Sequence, residues 1–139
     1  MTLTKSLVAG AATAIAAASA SGAEISAPDL TPYADNIVRL SSIRVDPEQI
    51  EAYKKAAAEV GRASMQNEKG VRVLYSMQVK QDPAQFFILE IYEDEAAYKH
   101  HISTEHFRKY KTGTLEMVKE LDLIDCNAMV PEALIKPVR

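Results

Sequence analysis

Three histidines, His100, His101 and His106, stand close together after the apolar run that ends in Glu90-Ile91-Tyr92. Imidazole is the one side chain whose unperturbed pKa lies in the physiological range, so such a group beside a carboxylate is suited to moving protons. His101, near the end of a short helix, is one candidate for moving a proton. The competing reading ties it structurally to a neighbouring carbonyl. His106 falls in the first turn of the next helix, where the positive end of the helix dipole disfavours a cation. A neutral imidazole there can accept or donate a proton, or simply cap the helix beside Phe107. His100, adjacent to His101, must point elsewhere and reads as surface.

Glu90 alternates onto one face with Phe86, Ile88 and Tyr92. A carboxylate among apolar residues needs a partner. It either orients an imidazole or pairs with Arg39 or Arg44. Tyr75 and Tyr92 are candidate pocket walls whose phenols could donate to a substrate oxygen, with core packing as the alternative. Phe107 reads as core or cleft wall, as do Phe86, Phe87, Met65 and Met77. The two site histidines lack the i, i+4 spacing of a helical metal pair, and no carboxylate completes a facial triad by spacing. Neither a metal nor a cofactor is expected. There is no CxxC, HExxH or DxDxDG, and the chain's five glycines form no phosphate-cradling loop.

These residues need elements to hold them. Residues 37–45 read as a first strand. Asp46-Pro47-Glu48-Gln49 is a helix start, with Asp46 as cap, Pro47 in the first turn and Gln49 able to complete a capping box. Ile50, Tyr53, Ala57 and Val60 make its apolar stripe, and Gly70 fits the residue just past its end. Residues 71–80 alternate as a second strand, with Leu74 as the exception. Gln81-Asp82-Pro83-Ala84 predicts a hairpin into residues 85–92, a strand apolar on both faces. Residues 95–101 form a short helix. Ser103 or Thr104 caps the next one, whose stripe runs through Phe107, Tyr110, Thr114, Met117 or Val118, and Leu121. Residues 123–130 are the last strand.

The order β-α-β-β-α-β, with the second helix split, is an α+β arrangement of the ferredoxin-like split βαβ type. It gives a four-stranded antiparallel sheet with helices on one face. If the third strand is apolar on both faces, the open face must be covered, and a second copy of the chain is the simplest cover.

Residues 1–23 read as a signal peptide: Lys5, then an Ala-rich apolar stretch too short to span a bilayer, then small-residue cleavage sites. The alternatives are a disordered Ala-rich tail or a tethered helix. Residues 24–36 read as a linker, 37–131 as the domain and 132–139 as a tail. The expected location is periplasmic or secreted, without membrane insertion once the signal is removed. A net charge of −3 argues against nucleic acid or an anionic membrane as partner. Cys126 is the only cysteine. It forms no internal disulfide and reads as a buried, inert thiol.

The chain resembles the antibiotic biosynthesis monooxygenase superfamily, a group of dimeric α/β barrels. The resemblance lies in Glu68-Lys69-Gly70, in Phe87-Ile88-Leu89-Glu90 with Tyr92, and above all in His101, Thr104, His106 and Phe107 of AAYKHHISTEHF. It covers about residues 37–130. It implies a homodimer and a quinol-type monooxygenase that uses O₂ on a small aromatic or quinol-like molecule without cofactor. His101 would be the base, His106 and Tyr92 would position the substrate, and Glu90 would orient one of them. The chain has no Trp, and Ser41 and Ser42 stand in the first strand where haem-degrading relatives carry Asn. Both departures weaken a haem reading. Two alternatives remain. One is an isomerase of the same fold that moves a proton alpha to a carbonyl. The other is a non-catalytic small-molecule-binding dimer.

Overall fold

Strand β1 (Ile37–Val45) takes the centre of the sheet because its β-branched residues have partners on both sides. In the computed structural model, which describes residues 29–133, it is followed by a 3-10 turn at Pro47–Gln49 and by α1 (Ile50–Asn67). Then come β2 (Val71–Gln78), β3 (Gln85–Tyr92), α2 (Glu95–Ser103), α3 (Glu105–Gly113) and β4 (Val118–Cys126). The signal segment 1–23, part of the 24–36 linker and most of the 132–139 tail lie outside the described residues. What is described of the linker holds a single 3-10 turn, Thr31–Tyr33.

The sheet order is β2-β3-β1-β4, with every neighbouring pair antiparallel. This is the ferredoxin-like arrangement expected from the element order. β1 and β3 pair from Ile37 opposite Tyr92 to Arg44 opposite Gln85. The helices cover the face that carries Arg39, Ser41 and Ile43 of β1 and Phe86, Ile88, Glu90 and Tyr92 of β3. The core between α1 and this face holds Ile43, Val45, Tyr53, Ala57, Phe86 and Ile88. Tyr53 meets Phe86 edge-on, ring centroids 4.9 Å apart. Its hydroxyl reaches that of Tyr110 at 2.9 Å, tying α1 to α3. Burial pushes both phenols above their ordinary pKa, so each stays protonated and able to hydrogen-bond.

The irregularity at Leu74 has a cause. The β2–β3 register shifts between Val71 and Val73, and this bulge moves Leu74 onto the helix side, where it packs against the core. Val73, Tyr75 and Met77 then point to the other face. There they stand opposite Ile91, Leu89 and Phe87, with Leu40 and Ile124 farther across. No helix covers this face among the described residues, and Tyr75, Met77 and Ile124 are exposed on it.

Three expectations are corrected. The last strand is Val118–Cys126 rather than 123–130. The helix before it stops at Gly113 instead of running on to Leu121. Lys119, Glu120, Asp122 and Asp125 belong to an edge strand open to water, which tolerates charges and discourages pairing with another chain. Cys126 is exposed, not buried, because it ends that edge strand. At the start of α1, the Asp46 carboxylate accepts from the Glu48 N–H at 3.0 Å as expected, but Gln49 makes no side-chain cap.

Candidate active site

The end of α1 decides the site. Glu68 takes an extended backbone there while its N–H still reaches the Ser64 carbonyl at 3.0 Å. The turn directs its carboxylate inward, and the residue is only 5% exposed. Two residues on, Gly70 is pressed against α2: a Cβ there would overlap the Cβ of Ala97. No described glycine has a positive φ, so Gly70 is not the left-handed helix cap that its position suggests. It is needed because it lacks a side chain. The Glu93 N–H donating to the Gly70 carbonyl at 2.8 Å closes the same junction.

Asp94 starts α2 by accepting from the Ala97 N–H at 2.7 Å. The helix brings His101 to Glu68, with Nδ1 3.1 Å from Oε2 and 3.2 Å from Oε1. Thr104 makes the break between the helices. Its hydroxyl donates to the His101 carbonyl at 2.7 Å and accepts from the Phe107 N–H at 3.3 Å. The first turn of α3 then places Nε2 of His106 2.6 Å from Glu68 Oε2. One buried carboxylate thus holds both imidazoles. Burial pushes the Glu68 carboxyl upward, but hydrogen bonds from His106 and His101 outweigh it and hold the group below its ordinary value. Glu68 is therefore ionised at neutral pH.

Glu68 also dictates what His101 can do. A carboxylate beside Nδ1 holds the ring proton on that nitrogen, so the neutral ring presents Nε2 as an acceptor. The ring packs between Tyr92 and Phe107, with centroids 5.2 and 5.0 Å away. His101, Tyr92 and Phe107 border a cavity of about 630 Å³ between α2, α3 and the sheet. Glu90, Ser41, Ile88, Tyr98 and Arg39 also line it, and Leu121 and Leu123 flank it along β4. That volume suits a small organic molecule.

Glu90 does not orient an imidazole. Its oxygens accept from the Ser41 hydroxyl at 2.6 Å and the Tyr92 hydroxyl at 2.7 Å. Nor does it pair with either arginine: Arg39 reaches Asp125 at 2.9 Å and Arg44 reaches Asp82 at 2.6 Å. Burial, and then the Glu90 charge, raise the Tyr92 phenol well above its ordinary pKa, so it remains a donor. Glu90 nonetheless faces the cavity as the alternation predicts.

His101, Tyr92, Phe107 and Glu90 are thus brought together, and His106 joins them through Glu68 without lining the cavity. Tyr75 does not join them. It is 58% exposed and borders a separate groove between α1 and β2. His100 is exposed, as its place beside His101 predicts. The residue that spacing missed is Glu68, which lies 33 positions before His101. Its only sequence signal was the Glu68-Lys69-Gly70 motif. Glu68 also supplies the carboxylate that no local spacing predicted beside the histidines.

The comparisons agree with this architecture. Residues 36–113 match the antibiotic biosynthesis monooxygenase family. A crystal structure from Bacteroides thetaiotaomicron VPI-5482, of a protein provisionally named an antibiotic biosynthesis monooxygenase, is 51% identical. The match spans 73% of this chain and 97% of that one, with a TM-score of 0.72. A provisionally named monooxygenase from Lactobacillus acidophilus NCFM is 27% identical over 64% of this chain and 42% of its own, with a TM-score of 0.63. A third structure, from Nitrosomonas europaea, shares the fold at 21% identity over 69% of this chain and 92% of its own, with a TM-score of 0.65. No match is found among the curated proteins. With residues 36–113 matched by the family and a 51% identical relative covered almost throughout, the chain belongs to the antibiotic biosynthesis monooxygenase family.

Proposed function

We propose that the protein is an exported, homodimeric monooxygenase that uses O₂ on a small hydroquinone-like or polyphenolic compound, without an organic cofactor. The observation that carries this reading is the Glu68–His101 pair beside the cavity. Nε2 of His101 takes the proton of a substrate hydroxyl. Glu68 stabilises the imidazolium that forms, and Tyr92, its hydroxyl proton held by Glu90, positions the substrate as the part of the cavity wall beside His101. An electron-rich aryloxide can reduce O₂ itself, so the protein needs to supply only a proton acceptor and a dry pocket. The balance closes on the substrate alone. A hydroquinone and O₂ give a hydroxyquinone and water, with one oxygen atom entering the ring and the substrate supplying all four electrons.

Membership of a monooxygenase family supports the reaction class. The Ala-rich segment with Lys5 supports export. The bare apolar sheet face, with Tyr75, Met77 and Ile124 exposed, supports the dimer. The test is oxygen uptake with reduced menadione. His101→Ala is expected to lose about 10²- to 10⁴-fold in rate, the usual contribution of a positioned base. Uptake unchanged by that substitution would overturn the assignment.

A further inference from the structure

We propose that Glu68, His101 and His106 form a mononuclear site for a borderline divalent cation, of which zinc is the best fit. The three side chains come from three elements: the end of α1, the last turns of α2 and the first turn of α3. One ligand atom from each, a ring nitrogen of His101, a ring nitrogen of His106 and a Glu68 oxygen, lie within 4.8 Å of one another. Zinc binds imidazole nitrogen and carboxylate oxygen at about 2.0–2.2 Å, which sets neighbouring ligand atoms about 3 Å apart. Glu68 Oε2 already stands 3.1 Å from one nitrogen and 2.6 Å from the other. Small rotations of buried rings would open the set around an ion. Two imidazoles and one carboxylate leave a fourth position for water, the donor set of open zinc sites.

Two further observations favour a cation. The Glu68 side chain is 2% exposed, and its ion-pair partners among the described residues are these two histidines alone. A buried carboxylate needs a positive partner. Ser64, one turn earlier on α1, is wholly buried. Its hydroxyl has no hydrogen-bond partner among the described residues. Its carbonyl accepts from the Glu68 N–H at 3.0 Å, so the unpartnered hydroxyl sits one turn from the carboxylate, where it can support Glu68 or a water on the ion.

An ion here would change the chemistry of the cavity. With Nδ1 of His101 bound to metal, the ring proton sits on Nε2, and His101 becomes a donor instead of an acceptor. That consequence rests on the base role proposed above; the site itself does not.

The experiment uses the full chain without a histidine tag, stripped with chelator and titrated with Zn²⁺ by calorimetry and with Co²⁺ by visible absorption. One equivalent per chain is expected, with the ligand-field bands of nitrogen and oxygen donors. Replacing outer-shell partners of metal ligands usually costs about 10- to 100-fold in affinity, so losing a ligand in Glu68→Gln or His106→Ala should cost at least about a hundredfold. His100→Ala should bind like the wild type. Far-ultraviolet dichroism and a thermal melt establish which variants are folded. His106, at 23% side-chain exposure, can lose its ring with least disturbance. The proposal is overturned if the stripped wild type binds neither ion at millimolar concentration, or if folded His106→Ala binds undiminished. Either outcome leaves the oxygen-uptake test of His101 untouched.

Discussion

Glu68 Oε2 and His106 Nε2 lie 2.6 Å apart across 38 positions of sequence. This contact joins the end of α1 to the start of α3, and the same carboxylate reaches His101. Glu68 is thus a positioning residue: it orients one imidazole that borders the cavity and one that does not.

That role predicts how Glu68→Gln behaves. An amide fills the same space but stabilises an imidazolium poorly. Oxygen uptake with reduced menadione should fall about 10- to 100-fold, a smaller loss than in His101→Ala. The loss should fall on kcat with KM little changed, because Glu68 acts through the base and does not touch the substrate. A kcat equal to that of the parent would leave Glu68 with a structural part only.

The same carboxylate couples folding to pH. Its folded-state pKa lies below the ordinary value of 4.5, despite burial, through hydrogen bonds from His106 and His101. Its contribution is therefore complete above that ordinary value and is lost as pH falls through the lower, folded one. With chelator present, urea midpoints measured between about pH 5 and pH 3 should fall more steeply for the wild type than for Glu68→Gln. Parallel curves would contradict this.

Gly70→Ala tests the junction of α1, β2 and α2. The added methyl meets the Ala97 Cβ and approaches its Cα, and neither can swing aside. Overpacking of this kind costs about 1–3 kcal/mol. Chemical denaturation should register that loss. Uptake should fall too, because pushing α2 outward draws His101 away from Glu68. A variant as stable and active as the parent would show that the helix yields freely.

The outer sheet face makes a prediction about assembly. Phe87, Leu89 and Leu40 stand next to exposed Tyr75, Met77 and Ile124. Equilibrium sedimentation at low micromolar concentration should give a dimer for the parent chain. Phe87→Glu, which buries a charge in that contact, should give a monomer. A monomeric parent would remove the second copy as the cover.

The strands of the sheet centre were legible almost to the residue. Ile37–Val45 and Gln85–Tyr92 are long β-branched and aromatic runs bounded by turn residues, and there local preference agrees with burial. The last strand was found but placed five residues late at its start, because edge pairing lets charged residues occupy Val118–Cys126 and blurs the alternation that marks a half-buried strand. Leu74 looked anomalous because a bulge resets the alternation, and nothing local announces it. At the site, the histidines declared themselves by type. Glu90 was correctly put on the cavity face but given the wrong neighbour, since Ser41 and Tyr92 already satisfy it. Glu68 could not be tied to the histidines by any periodicity. Its contact exists only once three elements have closed around Gly70.

Thr104 closes one helix and opens the next with a single oxygen, bonded to the His101 carbonyl on one side and the Phe107 amide on the other. The elbow it makes sets the angle between the two imidazole-bearing segments. Lengthening or stiffening the chain there would displace both rings in concert, and neither could be tuned alone. Engineering aimed at a new ligand would do better to reshape the leucines along β4 and leave this elbow as it stands.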